Sequence, residues 1–531
     1  MAYYIVQGAT TLYHVSTAGA VTALTLPTGI TLRAQRSRFA QLATNLVMIG
    51  SPIRGLWIDE NLTVRTQSLR PPTYAPILSA ASGGTLNGTF KVRVSFYVFD
   101  ADNNVILESP LGPESVASAT LATQALKCQA IPTSDEGLAN TGRRLYRTTT
   151  GPGAIYYPWL DLADNTTLTA IDDLSDAAMN ILPAPITLIN PPGTSINDDA
   201  VLIAVWKNRV FMRGTKMIDL VYFSEDGSFY QFADGNDLSI PPLNQDARGV
   251  TAFIARRDEL GIMKRNVFWK LAGSSPDNWS LIKVAEQIGC VSQDTVVIIR
   301  DVAYWLGEDG VYKWGPDGVI NIARERVHPW FTTDDTFNRA AFANAFATYN
   351  PLLDTLELFL PATGGTTINR WVSYSITRQT WMGPHLTSAF TPSYVFLADN
   401  AETQLVPMVG GTNGILYPMN RATALDASTA IDFDVDLAAT AMELPDDIKL
   451  FGELGARARV ETGGTLTITP YVGDLGASAG ATIAFNLTTG RLRARILGSG
   501  RFVKLNFRNA TASVKVRLYG CEIPFHSIGR D

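Results

Sequence analysis

The chain is predicted to be all-β: a β-propeller of about seven blades, carrying an inserted fibronectin III/Ig-like sandwich and closed by a C-terminal β-sandwich domain. Three observations predict it. The stretch Val302 to Val319 reads as strand, Gly307-Glu308-Asp309-Gly310 turn, strand, Pro316-Asp317-Gly318 turn, with aromatics alternating along both strands and Asp-Gly expected to supply the positive φ angles of a short hairpin turn. Imperfect copies of this meander recur at a spacing of roughly 40 residues, the length of a four-stranded blade. The composition, with 43 glycines and 28 prolines against only 17% charged residues, disfavours helices and supplies turns.

The copies share a glycine, then an aliphatic, then an aromatic just after a turn. Gly55-Leu56-Trp57, Gly310-Val311-Tyr312 and Gly414-Ile415-Leu416-Tyr417 fit, and Tyr222 to Tyr230 is a looser version. Residues 1–70 read as the first propeller blades: strands at Tyr3 to Val6, Thr11 to Val15 and Val21 to Leu24, then Gln41 to Ile49, Gly55 to Ile58 and Leu62 to Thr66. Pro71-Pro72 interrupts the pattern, since proline stiffens a connection and cannot donate to a ladder.

Residues 71–192 read as the inserted sandwich. Thr89 to Phe99 alternates, with Val92, Val94, Phe96 and Val98 on one face, and further strands follow at sandwich spacing until Pro191-Pro192. Residues 193–430 carry the remaining blades, centred on Val201–Phe232, Val250–Val284, Thr295–Ile322, Ala345–Trp381 and Ser393–Met419. The helical candidate is a connector between Arg324 and Ala345. Residues 431–531 return to long alternating strands, Thr465 to Thr469, Phe502 to Phe507 and Val514 to Leu518, the C-terminal sandwich.

The sum of these parts resembles the tail nozzle, or tail hub, of short-tailed (podovirus-like) bacteriophages. The resemblance rests on the aromatic hairpins, on an inserted sandwich after two propeller units, and on a C-terminal β domain ending in Val516-Arg517-Leu518-Tyr519-Gly520-Cys521-Glu522-Ile523. It rests also on the run from Glu108-Ser109-Pro110 through Arg144-Leu145-Tyr146-Arg147-Thr148 to Ile171-Asp172-Asp173. What it implies is a structural virion protein rather than an enzyme: a ring, commonly a homohexamer, below the portal and adaptor proteins. Such a ring is a platform for fibres or spikes, and DNA passes through its lumen without specific binding during genome ejection. The implied location is the tail of the virion, after synthesis in the host cytoplasm.

Composition agrees with that expectation. A net charge of −6 argues against a surface that grips nucleic acid broadly. No apolar run approaches the roughly 18 residues of a membrane span, so no span is expected, and the N-terminus lacks the basic start and apolar run of an ordinary signal peptide. Three scattered cysteines and four histidines, none adjacent to another, encode neither a disulfide framework nor a local metal or acid–base site, and no cofactor is expected.

Several constellations carry candidate chemistry. Asp432, Asp434 and Asp436 alternate with apolar residues and put three carboxylates on one strand face. With Glu443 they echo a calcium loop, but Leu437 stands where the sharp turn needs glycine, so an acidic face is the better reading. Arg491, Arg493 and Arg495 form the complementary basic stripe, and mutual repulsion calls for a partner, preferably protein. The two stripes are the candidate inter-subunit contacts. Ser224-Glu225-Asp226-Gly227 and Ser275-Pro276-Asp277-Asn278-Trp279 resemble sialidase Asp-boxes but depart from their spacing, and read as turn devices. Asp172-Asp173, Asp198-Asp199 and Asp334-Asp335 read as loop caps rather than glycosidase pairs. The rival readings are a propeller glycosidase or sialidase, which needs acidic and arginine side chains converging on the central funnel, and a glycan-binding surface protein, which the six Asn-x-Ser/Thr sites would suit.

Overall fold

In the computed structural model the chain is nearly all-β, built from many small antiparallel sheets. The structure describes residues 3–530 apart from 180–199, 243–248, 400–404, 420–424, 461–464, 474–481, 487–492, 510–515 and a few shorter stretches. The chain divides into two compact units. The first is residues 1–366 with 373–381 and 398–405; the second is 367–372, 382–397 and 406–531.

Among the described residues seven antiparallel meanders follow one another along the chain, each with its strands in sequential order. The first is three-stranded, from Tyr3–Gln7 to Val21–Ala23, and the second opens with Arg38–Leu42 and ends with Val64–Thr66. The third to sixth, all four-stranded, open with Ala200–Trp206, Ala252–Ala255, Val297–Ile299 and Phe346–Asn350; the seventh opens with Pro392–Asp399. Gln41 to Ile49, expected as one strand, is a hairpin of Arg38–Leu42 and Asn45–Ile49. Its turn at Ala43, with φ 52°, carries none of the usual turn residues and so left no signal.

The first five meanders pack one on the next through apolar side chains. Leu12 meets Met48 and Leu56; Leu42 and Val47 meet Ile203 and Val210. Phe211 and Val221 meet Phe253 and Ile262, and Met263 and Phe268 meet Trp305 and Trp314. Trp57 and Tyr312, two of the aromatics that mark the repeat, are buried in these contacts beside the aliphatic residues. The glycines of the organising turn work differently from expectation. Neither Gly307 nor Gly310 has positive φ; a Cβ on Gly307 would come within 2.7 Å of the Tyr312 ring, and one on Gly310 within 2.7 Å of the Asn321 amide. They are glycines for close approach. Gly318, at φ +90°, is the one that supplies a left-handed turn.

Between the second and third meanders lie two sheets. One orders Val105–Glu108, Val92–Phe99, Thr141–Arg147 and Tyr157–Leu162; the other orders Thr169–Asp172, Leu121–Gln129 and Ile77–Gly88. They enclose Phe90, Val92, Val94, Leu126, Cys128 and Leu145, a sandwich core. Beyond Glu108, the edge of Val92–Phe99 that Val105–Glu108 pairs is continued by an unusual segment. Backbone N–H groups of Ser109, Gly112, Ser115 and Ser118, every third residue, donate to the carbonyls of Phe96, Val94, Val92 and Phe90. The three serine hydroxyls in turn accept from the Phe96, Val92 and Phe90 amides. A three-residue repeat of small residues thus satisfies a two-residue strand edge, which would otherwise invite pairing. The boundary expected at 192 lies outside the described residues. The connector at 324–345 holds a short α-helix, His328–Thr332, and a 3-10 helix, Arg339–Asn344.

The second unit has its own core of Phe451, Leu454, Leu466, Ile468, Phe485 and Phe507. Lys449 is fully buried there, and its ammonium donates to the carbonyls of Leu444, Asp447 and Arg501. Lys449→Met should lower stability by about 1–2 kcal/mol, since the relief of burying a charge offsets part of the cost of three orphaned carbonyls. Urea unfolding measures it.

Candidate functional site

The first strands of the second to fifth meanders surround a cleft of about 370 Å³ within the first unit. Phe39, Gln41, Ile203, Val205, Phe253 and Ile298 are among its walls, and no acidic or basic side chain is among the described residues that line it. Where the same strands begin, charged groups converge. Asp294, 8% exposed, accepts from Arg36 Nη1 at 2.7 Å, Arg38 Nε at 2.9 Å and Arg38 Nη2 at 3.1 Å. Arg38 also donates to the Val201 carbonyl and Arg36 to that of Asn344, so one carboxylate ties the second, third, fifth and sixth meanders together. Burial alone would raise the Asp294 pKa; the Arg38 and Arg36 guanidiniums outweigh it and hold the carboxyl below its ordinary value.

This is the convergence of acid and arginine that a glycosidase needs, but in a form that does not serve one. Three charge-assisted donors already engage both carboxylate oxygens, and its pKa is shifted in the direction opposite to that of a general acid. Glu357, buried in the sixth meander, is the opposite case. Burial raises its pKa, and its neighbours are the Thr355 and Ser373 hydroxyls rather than a cleft.

The run quoted for the family resemblance assembles into two networks in the sandwich. Arg143, Leu145 and Arg147 point inward, all 0% exposed, whereas Arg144 is on the other face. Arg147 Nη1 meets Asp172 Oδ2 at 2.7 Å, its Nη2 donates to Leu174 O and Asp176, and its guanidinium lies 4.5 Å over the Phe90 ring. Arg143 donates to the carbonyls of Asp164 and Thr167 and pairs with the Asp164 carboxylate, whose pKa is pulled well below the ordinary range by the Thr167 and Thr166 amides. On the outer face Glu108 accepts from Arg144, Tyr146 and Ser95. So the motif joins its own ends, Glu108 to Arg144 and Arg147 to Asp172. Arg54 reaches Glu136 at 2.7 Å, both nearly buried, and fastens the second meander to the sandwich.

The stripes divide between sheets. Phe433–Asp436 pairs with Phe502–Asn509, placing Asp434 opposite Arg508 and Asp436 opposite Asn506. Arg493–Arg495 lies in a different sheet, beside Glu453–Val460, with Arg495 opposite Glu453 and Arg493 opposite Gly455. Arg493 and Arg495 are exposed. Asp432, Arg491 and Glu443 lie outside the described residues, as do Asp198-Asp199. The two Asp-box-like turns are structural devices: the Ser224 hydroxyl bridges the Val210 amide and the Ser228 carbonyl, and Asn278 Oδ1 accepts from the Ser274 and Ser275 amides. The Arg36–Asp294–Arg38 knot was not foreseen, because its members lie far apart in sequence with no motif around them.

Among the described residues no group of three or more His, Cys, Asp or Glu is placed to hold a metal, and no helix is long and apolar enough to cross a membrane. No family model matches the chain, and no curated protein matches it. Among solved structures it is similar to PorZ, a bacterial surface component of the type-IX secretion system of Porphyromonas gingivalis, at 9% identity and TM-score 0.26 over 97% of this chain and 79% of that one. It is also similar to the exo-β-1,3-galactanase of Phanerochaete chrysosporium, at 8% identity and TM-score 0.17 over 96% and 98%. At such scores neither likeness carries an activity, a partner or a detailed fold to this chain.

Proposed function

We propose that this chain is a structural virion protein, the nozzle or hub ring at the tail of a short-tailed bacteriophage. The observation that carries the reading is the order of parts: two meanders, a two-sheet insert, five further meanders and a C-terminal β unit. The meanders close into a seven-bladed propeller, with their opening strands around its axis. The chain assembles with copies of itself into a ring, most simply a homohexamer, that joins the portal and adaptor and carries fibres or spikes. The buried ionic groups support a scaffold role, because Asp294, Arg143 and Arg147 are each spent on holding elements together. DNA passes between copies rather than through one propeller. The axial cleft of 370 Å³ is far too small for a duplex whose major groove alone is about 12 Å wide. Electron microscopy of the native particle tests the reading: a ring with a central channel is expected, and isolated monomers with hydrolase turnover would overturn it.

The exposed Arg493 and Arg495 are the register contacts between copies. Reversing both to glutamate should reduce ring assembly about tenfold or more while leaving the melting temperature within the small range of surface substitutions. Unchanged assembly would assign the stripe to solvent.

A further inference from the structure

The axial cleft is bordered by main chain that the sheets leave unpaired. Ala200–Trp206 and Arg209–Gly214 join through a two-residue turn, Lys207-Asn208, both residues at positive φ, so Trp206 and Arg209 form the hydrogen-bonded pair nearest the turn. Alternation then directs the N–H and C=O of Ala204 and Leu202 into the sheet, and those of Val205 and Ile203 away from it, toward the cleft they line. The same alternation turns Phe253 and Ala255 inward from the next strand. Two positions on these edges are already completed by side chains acting as main-chain mimics. The Gln293 amide accepts from Phe253 N and donates to Phe253 O, and Arg38 donates to Val201 O. The free groups of Ile203 and Val205 repeat at about 6.8 Å, the two-residue period of a strand.

We infer that the cleft is a binding site for an extended peptide segment from a partner protein, which adds as a short strand to the inner edge at Ile203 and Val205. Backbone pairing supplies affinity, as in other strand-addition sites, and the apolar walls select uncharged side chains. The Arg36–Asp294–Arg38 knot lies where the lining strands begin, and none of its three residues is among those lining the cleft. The site is independent of the ring proposed above, since every group in it comes from one chain.

The test uses the full-length protein and a fluorescein-labelled, acetylated heptapeptide of alternating Thr and Val, with hydrogen exchange read at single amides. In the free protein the Ile203 and Val205 amides should exchange fast while Leu202 and Ala204 are protected; saturating peptide should slow the first pair. Val205→Pro removes one inward N–H without breaking a ladder bond and should weaken binding about tenfold or more. Ile298→Lys, at a side chain already 42% exposed, places a charge in the cleft without disturbing the core and should weaken binding similarly. Absence of binding, unchanged exchange at Ile203 and Val205 under saturating peptide, or wild-type affinity in Ile298→Lys would each show a water-filled axis instead and overturn the proposal.

Discussion

Arg147→Met should destabilise the inserted sandwich by about 3–5 kcal/mol, the cost of removing one member of a fully buried ion pair. Arg147 is 0% exposed and Asp172 2%, so neither regains water when its partner is lost. The substitution also leaves the Leu174 carbonyl and one Asp176 oxygen without their shared donor, and removes the cation from the Phe90 ring. Arg147→Lys should rescue little, because an ammonium cannot span Asp172, Asp176 and the Leu174 carbonyl at once as a planar guanidinium does. Arg144→Met is the control from the same strand. Its partners Asp161 and Glu108 are partly solvated, and the loss should stay near or below 1 kcal/mol. Hydrogen exchange at the amides of Val92–Phe99, read in the full-length chain, separates local opening of the sandwich from global unfolding. Equal effects of the two substitutions would contradict the inward placement of Arg147.

That contrast shows where the sequence was legible. Strand alternation in Arg143-Arg144-Leu145-Tyr146-Arg147 puts Arg143, Leu145 and Arg147 on one face, but nothing local says which face is inside. A pattern with two arginines on the Leu145 face invites the solvent assignment. The answer depends on Asp164, in the bend after Tyr157–Leu162, and on Asp172, at the end of a strand of the other sheet. The meanders were legible for the opposite reason, since their turns and aromatics are local. Even there the reading succeeded for the wrong cause at Gly307 and Gly310, which are needed for closeness to Tyr312 and Asn321. Two-residue turns such as Lys207-Asn208 and Arg300-Asp301, which place non-glycine residues at positive φ, carry weak signals, and they decide which main-chain groups face the cleft. The stripes were legible as alternation, whereas their assignment to two separate sheets follows from pairings that no local pattern records.

Asp294→Asn should lower stability by about 2–3 kcal/mol, less than the Arg147 change, because Arg36 and Arg38 retain side-chain exposures of 27% and 25% and partly rehydrate. The amide keeps the shape but can accept only at one oxygen, so two guanidiniums lose their anion where four meanders meet. The pH dependence gives the sharper test. The Asp294 carboxyl is held below its ordinary value, so between its folded and unfolded pKa values the unfolded chain binds the extra proton and stability rises with pH. Its contribution is therefore complete above the unfolded value of about 3.9 and is lost as pH falls through the lower folded value. The stability gap between wild type and Asp294→Asn should be constant from neutral pH down to about pH 4 and narrow below it. Asp164, also depressed, titrates equally in both proteins and cancels from the difference. Urea midpoints at pH 7 and pH 3 measure the gap; one that stays the same width at pH 3 would mean that the carboxylate does not carry the knot.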